Sequence, residues 1–148
     1  MAAPVGRERP AAVLDAEVDR TLASHGGLVL VAGEAGIGKS TLVSAAVARA
    51  RADGAEVAVG TCWDRDDAPG HWPWVQVVRS LARSVPSERW ERAQAEAGAE
   101  VAALLGTGAA ELGEGDELTL HDSVSTLLVA VAREQPLVVV LEDLHWAD

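Results

Sequence analysis

Phenylalanine and tyrosine are absent from the 148 residues, and cysteine, methionine and lysine occur once each. Without Phe or Tyr, a packed interior has to be built from Val, Leu and the five Trp. The single thiol, Cys62, excludes a disulfide framework within the chain and any multi-cysteine metal site. Cations are scarce: twelve Lys and Arg stand against twenty-three Asp and Glu, a net charge of −11. That balance excludes a segment that grips DNA or RNA, which needs clustered Lys and Arg, and equally a polybasic membrane contact. The apolar runs Leu28 to Ala32 and Leu137 to Leu141 are too short to span a bilayer. The opening MAAPVGRERP lacks an apolar h-region and does not read as a signal peptide. Apolar residues make up 49% of the chain, too many for a disordered one. A globular, cytoplasmic domain of one-domain size is expected, with no membrane partner.

Hydrophobic spacing places the elements. Val13, Leu14, Val18 and Leu22 recur at three and four, which predicts an amphipathic helix over Ala11–Ala23, stopped by His25-Gly26-Gly27. Leu28–Ala32 is wholly apolar and β-branched, the pattern of a strand buried on both faces of a parallel sheet. A glycine-rich turn follows, then a helix over Lys39–Ala52 with Leu42, Val43, Ala46 and Val47 inward, ended by Asp53-Gly54. Glu56–Gly60 predicts a second strand, so residues 28–60 form a β-loop-α-β unit with a right-handed crossover. Pro73 opens a helix to about Val85, Ser87 caps another to Leu105, and residues 106–118 are Gly- and acid-rich with low order. A last helix runs from Leu120 or His121 to Glu134, with Val124, Leu127, Leu128 and Val131 in phase. Pro136 breaks it before a third buried strand, Leu137–Leu141. The fold class is α/β, a parallel sheet flanked by helices.

One motif carries chemistry. Gly33-Glu34-Ala35-Gly36-Ile37-Gly38-Lys39-Ser40 matches G-x-x-x-x-G-K-[ST], the P-loop. Glycines let successive N–H groups turn inward as an anion nest, and the next helix aims its N-terminal dipole at the phosphates. Lys39, the only lysine, supplies a point charge to the β- and γ-phosphates, and the Ser40 hydroxyl is a Mg²⁺ ligand. Leu137 to Asp143 ends in two acids, Glu142 and Asp143, which a parallel sheet brings to its carboxyl edge beside the P-loop. That is where Mg²⁺ and an attacking water need carboxylates.

Four segments in order resemble one known family. Val5-Gly6-Arg7-Glu8-Arg9 resembles its "GRE-x-E" opening, and LVLVAGEAGIGKSTL (Leu28–Leu42) its Walker A. His71-Trp72-Pro73-Trp74 resembles its Y-W-P-W segment, and VLEDLHWAD (Val140–Asp148) its Walker B and the signature after it. The chain thus resembles, over nearly its whole length, the STAND-type AAA-like ATPase module of large LuxR-type transcriptional regulators. Similar modules occur in some adenylate cyclase and kinase fusions. The resemblance implies a P-loop NTPase fold in which ATP binding switches assembly and slow hydrolysis resets it. It implies that Gly33, Gly36, Gly38, Lys39, Ser40 and Thr41, with Glu34, Ala35 and Ile37 between them, hold phosphate and Mg²⁺. Val5, Gly6 and Arg7 would lie near the adenine, and Glu142 and Asp143 would be the Walker B pair. The family's first acid is usually Asp; Glu142 is one methylene longer, so intact ATP binding and feeble turnover are expected.

The family's later parts, a sensor strand, a last strand, a small helical or winged-helix subdomain and a DNA-binding helix-turn-helix, do not appear before Asp148. In its sheet order 5-1-4-3-2 a further strand lies between Leu28–Ala32 and Leu137–Leu141. The chain is therefore expected to be the N-terminal part of a P-loop ATPase domain, incomplete at its C-terminus, and truncated or partial as a gene product. Its divisions are an N-terminal segment and helix (1–27), the Walker A unit (28–60), a helical insert (61–135) and the Walker B strand (136–148). DNA would be reached only through an absent C-terminal domain, and self-association through the ATPase module is expected.

Other residues receive plainer readings. Trp72, Trp74 and Trp90 are core or interface anchors rather than an effector site, and His145-Trp146 is a structural turn. His71 and His121 stand alone and are not read as metal ligands; Cys62 is a buried, inert thiol. The acids at 64–67 and 111–117 are solvated loops. Two functions compete: an ATP-dependent switch with weak ATPase activity, and a nucleotide-binding scaffold that never hydrolyses. A small-acceptor kinase would need a lid with arginines, and residues 106–118 hold none. With no second lysine, an N-K-x-D-like guanine reader is excluded, so the expected ligands are ATP and ADP with Mg²⁺.

Overall fold

Apolar spacing, and glycine at the breaks, sets the elements. The computed structural model describes residues 8–63, 71–106 and 117–146. Val5, Gly6 and Arg7, the acids at 64–67 and those at 111–116 lie outside the described residues. The chain divides between Ala55 and Glu56 into two compact units.

The first unit pairs α1 (Glu8–Leu22) with α2 (Lys39–Ala52). Helix α1 starts three residues before the apolar pattern does, because Pro10 falls in the first turn, where an N–H has no helical acceptor. Its inner face is Leu14, Val18 and Leu22, with Val18 fully buried; Val13 is exposed instead. The stop is Ser24, not the glycines beyond it. Ser24 takes the left-handed backbone (φ 63), its N–H donates to Thr21 O (3.0 Å), and the His25 N–H donates to Arg20 O (2.9 Å). Helix α2 ends the same way at Gly54 (φ 92), where the Ala55 N–H donates to Ala50 O (2.9 Å), and both alanines are buried. Arg49 of α2 stitches the helices through Asp15 (3.3 Å) and Asp19 of α1, which raise its pKa, Asp19 first; it also pairs with Asp53 (3.4 Å) at the end of its own helix.

Leu28–Ala32 forms no strand, contrary to its sequence pattern. Leu28 is 97% and Leu30 78% exposed. A lone strand satisfies none of its own backbone groups, and among the described residues the sheet has only two strands, neither including this run. No β-loop-α-β crossover therefore forms over 28–60.

The second unit holds that sheet. β1 (Glu56–Thr61) and β2 (Leu137–Glu142) run parallel in level register, from Glu56 beside Leu137 to Thr61 beside Glu142. The parallel pairing agrees with the sequence reading. Every residue of β2 is only half-buried rather than buried on both faces, because β1 is its one strand neighbour. Helix α3 (Trp72–Ser84) lies on β1, with Pro73 in its first turn as expected. The approach is so close that a Cβ on Gly60 would lie 2.9 Å from the Pro73 carbonyl carbon and 3.0 Å from its Cα. Gln76 Nε2 donates to Thr61 O (2.9 Å) and Ser84 Oγ to Glu56 Oε1 (2.6 Å), fastening both ends of the contact.

The single helix expected over Ser87–Leu105 is two: α4 (Ser87–Ala97) and α5 (Ala99–Gly106). Gly98 breaks it with a backbone (φ 95, ψ −176) that side chains rarely adopt. Pro86, not Ser87, occupies the cap position, and its carbonyl accepts the first bond, from Trp90 N–H (2.9 Å). Helix α6 (Glu117–Glu134) begins earlier than expected, and Leu120, Val124, Leu127 and Val131 are buried along one face. They meet Val75, Val77, Val78, Leu81, Trp90 and Leu104 in the core of the unit, with Trp72 and Trp74 packed at its margin. The tryptophans thus serve as the anchors expected in a chain without Phe or Tyr. Ion pairs Arg89–Glu134 (3.0 Å), Arg92–Glu134 (2.9 Å) and Arg133–Glu96 (2.8 Å) lace α4 to α6.

Candidate functional site

The candidate phosphate loop, Gly33–Gly38, belongs to the first unit. Three glycines shape it. Gly36 (φ 75) and Gly38 (φ 88) take left-handed backbone. Gly33 lies so close to Ile37 that a Cβ there would meet Ile37 Cγ2 at 3.2 Å. The Ile37 N–H donates to Glu34 O (3.3 Å), closing a turn through Ala35 and Gly36. Gly38 is the residue from which α2 starts, and its carbonyl accepts the N–H of Leu42 (3.2 Å). The amides of Lys39, Ser40 and Thr41 therefore precede the first helical bond and open the helix at its positive end.

Lys39 folds back over the loop. Its Nζ donates to Gly33 O (2.8 Å) and Glu34 O (2.9 Å), so the one lysine side chain ties the start of the loop to the first residue of α2. Ser40 and Thr41 are exposed at the start of α2. This donor set, helix-opening amides, an ammonium above the loop and a neighbouring hydroxyl, has the chemistry to hold a phosphate with a hard divalent cation.

The two acids stand at the carboxyl end of β2 in the second unit, as a parallel strand requires. Glu142 is the last ladder residue, beside Thr61, and its carbonyl accepts the Cys62 N–H (3.0 Å). Asp143 leaves the strand in a left-handed backbone (φ 57), uncommon outside Gly, Asn and Asp. A single 3-10 turn, Leu144–Trp146, follows, which agrees with reading His145-Trp146 as a turn. Each set is placed within its own unit: the loop residues Gly33 to Thr41 in one, Glu142 and Asp143 in the other.

Cys62 is buried, as expected. Burial pushes its thiol pKa up, and the nearby Asp143 charge adds to the effect. His71 and His121, which stand alone in sequence, meet in space with ring centroids 5.5 Å apart. Trp72 packs against Trp63 (5.6 Å between centroids) and carries the Arg79 guanidinium over its ring at 5.6 Å. Among the described residues no helix is long and apolar enough to cross a membrane.

Comparison with curated proteins and with solved structures returns no match. The family model AAA_16, described as an AAA ATPase domain, matches residues 3–148. The match takes in the glycine loop, both strands and the terminal acids. The chain belongs to this family of AAA ATPase domains.

Proposed function

We propose that this AAA ATPase domain is an ATP-binding regulatory switch with weak ATPase activity, acting in the cytoplasm as part of a LuxR-type transcriptional regulator. The observation that carries the nucleotide reading is the loop: Gly36 and Gly38 in left-handed backbone, with the Lys39 ammonium held above Gly33 and Glu34. In this reading the amides of residues 33–41 and Lys39 bind the phosphates. Ser40, Glu142 and Asp143 hold Mg²⁺, and Val5, Gly6 and Arg7 lie by the adenine. Bound Mg²⁺ supplies charge neutralisation at the β- and γ-phosphates. Glu142 and Asp143 orient the attacking water, and the longer Glu142 side chain keeps turnover slow. The 97% exposure of Leu28, in an apolar run that forms no strand, supports the further reading that this run pairs only when a strand neighbour is supplied. DNA contact and self-association then belong to the completed regulator.

The test is a fluorescent-ATP titration with Mg²⁺, run beside a phosphate-release assay, on the chain and on Lys39→Ala. Charge-assisted contacts from one lysine predict binding weaker by roughly 10- to 100-fold in the variant. Equal binding by both proteins overturns the reading. A non-hydrolysing scaffold is the second reading, favoured by Glu142 in place of the usual Asp. Tight binding with phosphate release no faster than in Lys39→Ala selects it.

A further inference from the structure

The chain has four histidines, His25, His71, His121 and His145. Two of them come from distant positions to meet in the second unit, with ring centroids 5.5 Å apart and planes at 81°. Their backbones are well anchored. His71 takes the left-handed position (φ 59, ψ 15) from which α3 starts, and its carbonyl accepts the N–H groups of Trp74 (2.9 Å) and Val75 (3.1 Å). His121 lies on the second turn of α6, between buried Leu120 and buried Ser123 and Val124, with its own side chain exposed. One imidazole is thus half-buried on a fixed backbone, and the other reaches it from solvent.

Neutral imidazole is a preferred ligand of late divalent transition ions. A metal–nitrogen bond of about 2.0–2.1 Å puts the ion roughly 3.2 Å from each ring centre, and two such rings at a tetrahedral angle have centres about 5.2 Å apart. The observed 5.5 Å is close to that value, and the broad terminal torsion of histidine, which turns each ring about its own centre, can aim a nitrogen of each at a shared ion. We propose that His71 and His121 form a two-imidazole site for a divalent transition ion of the Zn²⁺, Ni²⁺ and Cu²⁺ class. Among the described residues no group of three or more His, Cys, Asp or Glu is placed to hold a metal, so water completes the coordination. The bound ion cross-links the start of α3, which is pressed against Gly60 of β1, to α6.

The test uses the whole chain. Ni²⁺ and Zn²⁺ are titrated calorimetrically, and Cu²⁺ is followed by quenching of tryptophan emission, since Trp72 adjoins His71. The expected result is one ion per chain, with His71→Gln and His121→Gln each weakening binding about tenfold or more. His25→Gln and His145→Gln leave it unchanged, and excess Mg²⁺ does not compete, being a hard, oxygen-seeking ion. Electron paramagnetic resonance of the Cu²⁺-loaded wild-type chain is independent of how the variants fold, and two nitrogen donors are expected there. An oxygen-only Cu²⁺ environment overturns the proposal, as does affinity untouched by both His71→Gln and His121→Gln, or lost equally with His25→Gln or His145→Gln.

Discussion

Gly60 has an ordinary backbone angle, so alanine there is penalised only by what the added methyl meets. It meets backbone: the Pro73 carbonyl carbon at 2.9 Å and its Cα at 3.0 Å, with the carbonyl oxygen closer still. Normal carbon contacts lie at about 3.5–4.0 Å, so α3 must retreat from β1 by roughly 0.5–1 Å. Helix α3 buries Val75, Val77, Val78 and Leu81 completely. Four such side chains contribute about 6–12 kcal/mol by burial, and a gap of that width forfeits about a quarter of their close contact, or roughly 2 kcal/mol. Overpacking penalties of about 1–3 kcal/mol agree. All five tryptophans lie beyond Glu56, so their emission in urea reports the second unit. With a urea slope of about 1.5 kcal/mol per molar, Gly60→Ala should lower the midpoint by about 1.3 M. Gly106→Ala, where nothing lies within 4 Å, is the matched control and should hold its midpoint or gain slightly. A Gly60→Ala midpoint equal to wild type would refute the close approach of α3 to β1.

Ser24→Gly removes the strain of a left-handed serine and should stabilise the first unit by about 1 kcal/mol, seen as slower amide exchange in α1. Arg92, and then Arg89, hold the Glu134 carboxyl below its usual 4.5. The folded state thus binds fewer protons there, and the contribution is complete above pH 4.5 and lost as pH falls through the lowered value. Glu134→Gln should make the acid limb of a stability–pH curve shallower; an unchanged limb refutes the assignment. The Cys62 thiol, buried and with its pKa raised, should react with a thiol reagent slowly in the native protein and rapidly in urea; equal rates contradict its burial.

The helices and the glycine loop were legible in the sequence because their signals are local. Val124, Leu127 and Val131 announce the buried face of α6, and Gly36 and Gly38 announce left-handed backbone whatever surrounds them. β1 and β2 were legible too, since each is an apolar run that finds the other. Leu28–Ala32 has the same pattern and forms no strand, because pairing is a property of the neighbour and not of the run. The break at Gly98 was hidden: alanines on both sides continue the helical composition, and only the glycine's backbone interrupts it. The meeting of His71 with His121 was hidden for a similar reason, since it depends on how α3 and α6 pack. Glu142 and Asp143 stand at the carboxyl end of β2, as strand direction predicts, while the left-handed turn at Asp143 has no signature in the residue pattern.

The helix that opens from the glycine loop is secured lightly. Val18 is the one buried residue of α1 and Ala50 that of α2, and Arg49 adds ion pairs to two aspartates of α1, Asp15 and Asp19. Exposed ion pairs fade as salt screens them, whereas the apolar interior around Leu81, Leu104 and Leu127 does not. Ionic strength therefore acts more strongly on the first unit than on the second, where the ion pairs between α4 and α6 only supplement a buried apolar core. Raising it loosens the scaffold beneath Lys39, so that a ligand seated there would spend part of its binding free energy on ordering α1 against α2. The same linkage lets a bound anion stabilise the first unit, and less so in a saltier solution, because screening also weakens its hold on Lys39 and the helix-opening amides.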